Sequence, residues 1–336
     1  MKKVLLFGAT GSVGVYTAIH LSKMGYTVIA VGKRESDNNF FANNQIQYIS
    51  LDIHQKEAFS ILPTEDIDTV IHFAGSMPAR MIDYSPYSYI ESIIVGTLNI
   101  LEFMRVNKIN KIVFAQSISD ILYKFGSTVP ISADIEQKFP LIGDHSIYSI
   151  SKNAAVNIIE HYYHQYGIKR FILRLPTIYL YHPNPFYYVN GIKKWMGYRF
   201  LIHQAIQGNN IELWGDPNSK KEIVYVKDFT HIVEKCVESK LDGGIYNIGR
   251  GVGVSMIEQI KGIIDVFCPP HKKSNIIYKP EKPSSPQFIL DISKSIKELN
   301  YHPQYDYLSY LKDFKIEMEK EPFSLLWGKG KNYLSL

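Results

Sequence analysis

Closely spaced cysteines are missing from this sequence. Among its 336 residues only Cys236 and Cys268 are cysteines, and they stand far apart without a Cys-x-x-Cys pair. Disulfide frameworks and zinc sites both need cysteines in a tight pattern. The sequence therefore predicts no disulfide scaffold and no bound metal.

The sequence also lacks long apolar runs and a strong excess of one charge. No run approaches the roughly 20 apolar residues of a membrane span, and the first residues lead into an apolar strand without separate charged and apolar leader regions. We therefore expect no membrane partner and a cytoplasmic location. The net charge of +5 is dispersed. It suits a small anionic substrate but does not predict a nucleic-acid partner.

What the sequence does contain is a regular alternation of apolar runs and helical patterns up to about residue 175. With 46% hydrophobic residues, the chain can bury a large core. The alternation is typical of an α/β fold with a doubly wound, Rossmann-like parallel sheet. The predicted strands are Lys3–Phe7, Thr27–Val31, Gln47–Leu51, Thr69–Phe73, Lys111–Ala115 and Arg170–Leu173, with helices at about 12–24, 86–107 and 146–166.

The alternation stops after Pro176, where an aromatic and proline-rich segment begins. Beyond it the pattern predicts a strand at Glu222–Val226 and helices near 228–238 and 255–266. We expect a first domain at 1–175 and a smaller C-terminal α/β lobe at 176–336, with some crossing of the chain between them. The cleft between the two is the expected binding site.

Three glycines follow the first predicted strand. Gly8 permits a tight bend, Gly11 lets the backbone approach a ligand, and Gly14 allows close packing of the next helix. The amino terminus of that helix then faces the ligand with unpaired N–H groups, which favour an anion. The turn predicts a site for a dinucleotide pyrophosphate, and its members are Gly8, Thr10, Gly11, Ser12, Val13 and Gly14.

A tyrosine and a lysine stand four residues apart in the run YSISK, within the predicted helix at 146–166. This spacing places Tyr148 and Lys152 on one helical face. We expect the lysine ammonium to lower the pKa of the phenol and to hold it ready to exchange a proton.

Together, the GxxGxxG turn and the YxxxK pair resemble the extended short-chain dehydrogenase/reductase family, in its branch of NAD(P)-dependent nucleotide-sugar epimerases and dehydratases. The resemblance implies a catalytic triad of Ser117, Tyr148 and Lys152, with Lys152 also binding the nicotinamide ribose. It implies further cofactor contacts from Asp52, Ile53, Phe73, Ala74, Gly75 and Pro176. The segment Val95-Gly96-Thr97 is similar to the NVxGT signature, but Ile93 stands where the family often has asparagine.

The residues after the second strand bear on the choice of cofactor. An acidic residue there would bind the 2′-hydroxyl of NAD, but the sequence has Lys33 and Arg34 instead. Either base could pair with a 2′-phosphate, so we expect NADP to be favoured over NAD. The alternative is a solvated turn with two ordinary basic residues.

The second lobe resembles the sugar-nucleotide branch over Lys221-Glu222-Ile-Val-Tyr-Val226. The resemblance implies that Lys221 pairs with the substrate pyrophosphate, and that Ser117 and Tyr148 contact the sugar. It also implies a homodimer built on the helices at 86–107 and 146–166.

Three functions remain open at this point. The first is a nucleotide-sugar epimerase that works by transient hydride transfer at a ring carbon, most often C4, with Tyr148 as acid and base. The second is an NADPH-dependent 4-keto-sugar nucleotide reductase, which Lys33, Arg34 and Ile93 favour. The third is a non-catalytic dinucleotide sensor, which has no need of an intact triad. Dehydration is disfavoured because Ile118 and Ser119 replace the acidic pair of the dehydratases.

Overall fold

The computed structural model describes residues 2–189 and 191–334. Its main sheet has seven strands, all paired in parallel, in the order β3-β2-β1-β4-β5-β6-β7. The prediction of a doubly wound, Rossmann-like sheet is confirmed. The strands are β1 Lys3–Phe7, β2 Thr27–Gly32, β3 Gln47–Ser50, β4 Ile67–His72, β5 Lys111–Ser117, β6 Lys169–Leu175 and β7 Gly243–Asn247.

Helices cover both faces of this sheet. The helices of the described residues, those of the second lobe included, are α1 Ser12–Lys23, α2 Phe40–Asn43, α3 Pro86–Tyr89, α4 Gly96–Val106, α5 Asp144–Tyr166, α6 Gly197–Ile206, α7 Val226–Glu238, α8 Met256–Phe267, α9 Ser293–Leu299, α10 Tyr307–Lys320, α11 Ser324–Trp327 and α12 Lys331–Leu334. Short 3₁₀ helices span Lys56–Ile61, Pro78–Arg80 and Ile118–Lys124.

Alternate residues of β1 enter two different cores, as the period of two in a strand requires. Val4 and Leu6 pack with Val15 of α1 on one face, whereas Leu5 and Phe7 belong to the core under α4 and α5 on the other. All four strand residues are fully buried. A strand buried on both faces has to be apolar throughout, and for this reason the run was recognisable in the sequence.

The order of the strands reverses between β1 and β4. The chain runs outward from β1 to β2 and β3 on one side, and from β4 to β7 on the other. In open α/β sheets the ligand crevice lies at such a point, outside the carboxyl ends of the strands. The glycine turn follows β1 at this position.

The structure corrects two of the predicted elements. The helix predicted at 86–107 is divided into α3, a π-helical segment Ile90–Val95 and α4. Such a segment widens the helix locally through i→i+5 hydrogen bonds, which an apolar pattern read at the α-helical period does not distinguish. The strand predicted at Glu222–Val226 is only Val224–Tyr225. The apolar run continues directly into α7, and burial alone cannot separate a strand from the start of a helix.

The smaller strands all follow β6. Ile178–Tyr179 pairs in parallel with Val224–Tyr225, and Ile211–Trp214 pairs in parallel with Ile276–Lys279. Two antiparallel pairs join Phe186–Val189 to Ile192–Trp195 and Lys220–Lys221 to Val254–Ser255.

Strand β7 of the main sheet lies beyond residue 175, so the chain crosses back to the main sheet after the predicted domain boundary. The boundary at 175 stays a prediction. Over the described part of the chain, no helix combines the length and apolarity that a membrane span needs.

Candidate active site

A cleft of about 330 Å³ opens at the carboxyl ends of β1, β2 and β4. Its lining brings together most of the residues that the sequence assigns to the cofactor. The lining residues are Gly8, Thr10, Gly11, Ser12, Val13, Val31, Gly32, Lys33, Leu51, Asp52, Ile53, His54, Phe73, Ala74, Gly75, Ser76, Met77, Ser88, Glu91 and Ser92.

The glycine turn is shaped so that its backbone borders the cleft directly. Gly8 has a φ of +84°, and a Cβ atom there would lie 2.6 Å from the Ala74 nitrogen. A Cβ on Gly14 would lie 2.1 Å from the Gly8 oxygen, so Gly14 packs beneath the turn and does not line the cleft. Side chains at these positions would therefore disrupt the turn.

The amino terminus of α1 adds a positive partial charge that favours an anion in the cleft. No described side chain caps this helix, whose N-cap is Gly11, and the first N–H groups of a helix have no partner within it. Such a terminus, open to a glycine-lined cleft, fits the pyrophosphate of a dinucleotide. Within the described residues, no cluster of three or more His, Cys, Asp or Glu side chains could hold a metal ion.

The two basic residues after β2 already have partners in the protein. The Lys33 ammonium lies 2.6 Å from an Asp52 carboxylate oxygen, and the Lys33 side chain is 79% exposed. Burial opposes ionisation of Asp52, but hydrogen bonds from Lys33 and His54 outweigh it and lower the pKa of this carboxyl. The Arg34 guanidinium donates to the Leu326 carbonyl at 2.8 Å, and Arg34 is not among the residues that line the cleft.

Ser117, Tyr148 and Lys152 come together at the carboxyl end of β5. Ser117 is the last residue of that strand, and its side chain shares a hydrogen bond with Tyr148 of α5. Lys152, one helical turn further along, donates from Nζ to the Ala115 carbonyl at 2.8 Å. Its Nζ lies 4.6 Å from the centre of the Phe114 ring and 6.0 Å from that of Tyr148.

The protonation equilibria of this pair differ from the sequence-based expectation. Burial raises the pKa of Tyr148 to about 12, although the hydrogen bond with Ser117 lowers it in part. Burial also lowers the pKa of Lys152 to about 7. The expected net lowering of the phenol pKa is therefore wrong for the protein without ligand. Desolvation disfavours the charged form of both groups and dominates here.

A buried ion pair supports the segment after Ser117. The Arg174 Nε donates to Asp120, with a shortest distance of 2.9 Å, and both side chains are almost completely buried. Arg174 belongs to β6, next to β5, and Asp120 lies in the 3₁₀ helix Ile118–Lys124. No sequence pattern indicates this pair, because its members are far apart in the chain.

Several predicted site residues do not line the cleft, among them the triad, Pro176 and Lys221. Pro176 directly follows β6, whose last residue is in register with Ser117. Lys221 is half-buried in a short strand, and burial lowers its pKa. His72 is a packed structural histidine: it lies 2.9 Å from the Thr97 hydroxyl, and burial lowers its pKa to about 3.

Ser88, Glu91 and Ser92 form a polar wall of the cleft that was not expected from the sequence. Ser92 accepts a hydrogen bond from the Ser76 backbone at 2.9 Å. These residues lie on α3 and the π-helical segment, next to the NVxGT-like signature. That signature was the available signal, but it does not indicate which side chains face the cleft.

Comparison with known proteins identifies the family. The family model for the NAD dependent epimerase/dehydratase family matches residues 4–249. The chain belongs to this family, and the predicted enzyme class, an NAD(P)-dependent enzyme of the extended short-chain dehydrogenase/reductase type, is confirmed.

Individual relatives are distant but extend over nearly the whole chain. A putative UDP-glucose 4-epimerase of Methanocaldococcus jannaschii is 27% identical over 90% of this chain and 94% of its own. Among solved structures, the UDP-N-acetylglucosamine 4-epimerase of Bacillus cereus has a TM-score of 0.73, with 22% identity over 95% of this chain and 97% of its own. The UDP-glucuronic acid 4-epimerase of Bacillus cereus, solved with NAD, has a TM-score of 0.69, with 21% identity over 94% of this chain and 99% of its own.

Proposed function

We propose that this protein is a nucleotide-sugar epimerase that inverts a ring carbon, C4, by transient oxidation and reduction with a nicotinamide dinucleotide. One observation carries the proposal: Ser117 and Tyr148, which share a hydrogen bond, lie with Lys152 at the carboxyl end of β5. The glycine-turn cleft opens at the carboxyl ends of strands of the same sheet. The relative named as a putative UDP-glucose 4-epimerase, which aligns with 90% of the chain, supports the same reaction class.

A nicotinamide dinucleotide held at the glycine turn, against Gly8 and Gly11, would supply the hydride acceptor and donor for the sugar carbon. Tyr148 exchanges the hydroxyl proton, and Ser117 orients the sugar oxygen toward the phenol. Because burial keeps the pKa of Tyr148 at about 12, the phenol holds its proton at neutral pH in the free protein. It is therefore ready to protonate a developing alkoxide, whereas the oxidation step needs a cation nearby to lower this pKa.

Lys152 has the position for two tasks in this scheme. Its Nζ is fixed by the Ala115 carbonyl and lies within 6.0 Å of the Tyr148 ring centre. With a pKa of about 7, small changes around it shift its charge. A protonated Lys152 stabilises the phenolate, and in the proposal the same ammonium binds the nicotinamide ribose.

We further propose that the protein binds NADP more tightly than NAD, with a small preference. It rests on Lys33, since Arg34 is engaged by Leu326. The Lys33 ammonium is itself paired with Asp52, so a 2′-phosphate would compete with a carboxylate 2.6 Å away. Lys221 is proposed to contact the substrate pyrophosphate.

A 4-keto-sugar nucleotide reductase is the second candidate, and one observation favours it. Ile93 is completely buried, and its Cγ1 lies 3.0 Å from where a Cβ on Gly75 would stand. The position that often holds asparagine in the family therefore offers no polar group to the active site. A dinucleotide sensor is not favoured, since Ser117, Tyr148 and Lys152 are all retained.

To test this, purified protein is incubated with UDP-sugars that form pairs differing only in configuration at C4. The pairs are the UDP-linked forms of glucose and galactose, of their N-acetylamino derivatives, and of the two corresponding uronic acids. Chromatographic separation should show conversion of at least one pair from either direction, with no net change in reduced cofactor. Tyr148→Phe is the matched inactive control. Stoichiometric oxidation of NADPH by a 4-keto-sugar nucleotide, without epimer exchange, would decide for the reductase instead.

A further inference from the structure

The last described segment of the chain, residues 321–334, lies against the loops that border the dinucleotide cleft. We call this segment the clasp; it contains α11 and α12. The Trp327 indole Nε1 donates to the Thr10 carbonyl, inside the glycine turn, at 3.0 Å. The Leu326 carbonyl accepts from Arg34 at 2.8 Å, and the Leu325 carbonyl accepts from Asn38 at 3.0 Å. The clasp thus ties together the turn after β1 and the loop after β2.

Aromatic packing holds the clasp in place. Phe323 and Trp327 are both buried, and their ring centres lie 5.1 Å apart. Phe323 packs edge-on against Tyr16 of α1 at 4.6 Å, and Trp327 lies 4.3 Å from His182. The Tyr333 hydroxyl donates to the Trp327 carbonyl at 2.6 Å. The position of the indole N–H donor is therefore fixed by its own surroundings as well as by its hydrogen bond to the glycine turn.

The bond from Trp327 acts on one particular peptide group. The Thr10–Gly11 peptide stands at the head of α1, where Gly11 is the N-cap. Its carbonyl accepts from Trp327, and its N–H donates to the Gly8 oxygen at 3.0 Å. Both ends of this peptide are thus held, which fixes the backbone leading into Ser12 and Val13, two residues that line the cleft and carry N–H groups of the first helical turn. Donors fixed before binding lose less entropy when the ligand arrives.

We propose that Trp327 is a positioning residue for the dinucleotide, and that the clasp slows dinucleotide release by keeping the glycine turn in its binding conformation. This rests on the proposed function only in that the cleft takes a nicotinamide dinucleotide; it does not depend on which sugar reacts. Slow release suits an epimerase, because each catalytic cycle returns the hydride and leaves the cofactor oxidised as it began.

The decisive variant is Trp327→Phe, which keeps an aromatic ring but removes the N–H donor. NADH and NADPH serve as probes, without sugar, and fluorescence in a displacement chase gives the dissociation rate. Loss of one supporting hydrogen bond should speed release about three- to tenfold. In cofactor-free protein, hydrogen exchange of the backbone amides at 10–14 should also become faster.

The control is Tyr246→Phe. It removes a hydroxyl that donates to Glu298 at 2.7 Å, on β7 and away from the cleft. It should lower the melting temperature without changing release or exchange in the turn. If Trp327→Phe behaves in the same way, the indole is merely structural and the proposal is overturned.

A second variant covers the case in which Trp327→Phe does not fold. Asn38→Gly removes an exposed hydrogen bond to the clasp, and glycine tolerates the φ of +54° at this position. Faster release from this variant supports the clasp, and release at the wild-type rate overturns it. If the wild-type protein binds neither NADH nor NADPH, the proposed function fails along with the clasp; if it binds them and both variants match it, only the clasp fails.

Discussion

Replacing Lys152 by methionine should abolish catalysis and yet stabilise the folded protein at low pH. Burial lowers the pKa of this lysine from 10.5 to about 7. Between these two values the unfolded chain binds more protons than the folded protein, so the stability of the wild type rises with pH across this window. Below pH 7 the lysine is charged in both states, and the cost of burying that charge is constant.

The size of this change in stability follows from the shift in the pKa of Lys152. One pKa unit corresponds to about 1.4 kcal/mol, so the buried charge costs up to about 5 kcal/mol at pH 6. Methionine removes this cost but also loses the hydrogen bond to the Ala115 carbonyl and the contact with the Phe114 ring. Those two interactions offset about half of the gain. We expect Lys152→Met to be about 2 kcal/mol more stable than the wild type at pH 6, and slightly less stable at pH 10.

Urea unfolding of the cofactor-free protein at pH 6, 8 and 10 measures this difference. Lys297→Met, at an exposed position on α9, controls for the loss of one positive charge. The quantity to compare is the change in unfolding free energy between pH 6 and pH 10. If Lys152→Met follows the wild type in parallel over this range, burial does not depress the pKa of Lys152, and the account of its charge state is wrong.

Three further predictions concern the chemistry, the cofactor and the assembly. Tyr148→Phe should lower turnover by at least about 10²-fold, since it removes the proton carrier, while fluorescence titration finds nearly unchanged dinucleotide affinity; substantial remaining turnover would contradict the role of the phenol. Lys33→Ala should weaken NADPH binding about two- to fivefold, and Asp52→Asn should raise the preference for NADPH over NADH because it frees the lysine; if neither variant shifts the ratio of the two dissociation constants, Lys33 does not contact a phosphate. Leu98 and Ile150 are 40% and 39% exposed on α4 and α5, so light scattering should report a dimer and Leu98→Asp should weaken it, whereas a monomeric wild type would refute the predicted assembly.

The sequence was most informative where a short stretch of chain determines the geometry. The glycine turn after β1 and the pair Tyr148 and Lys152 were predictable, because each depends only on local spacing within one strand-turn-helix unit or one helix. The pKa directions at the triad were not, since desolvation comes from the packed surroundings of α5 and no spacing rule measures it. The contact from Trp327 to Thr10 joins opposite ends of the chain. No local pattern could have predicted it.

The partners of Lys33 and Arg34 could not be predicted from local sequence patterns either. Both bases were recognisable in the sequence, but Asp52 and Leu326 reach them through the tertiary fold. A basic side chain that is already paired is a weaker phosphate ligand than its charge suggests, because a ligand must compete with the existing partner.

The central claim is that a hydride leaves C4 of the sugar and returns to the same carbon from the other side. A nucleotide sugar labelled with deuterium at C4 tests this most directly, once an accepted epimer pair is known. The account predicts that the epimerised product keeps its deuterium at C4, with inverted configuration, when the reaction runs in ordinary water. Loss of the label to solvent, or inversion at a different ring carbon, would contradict it.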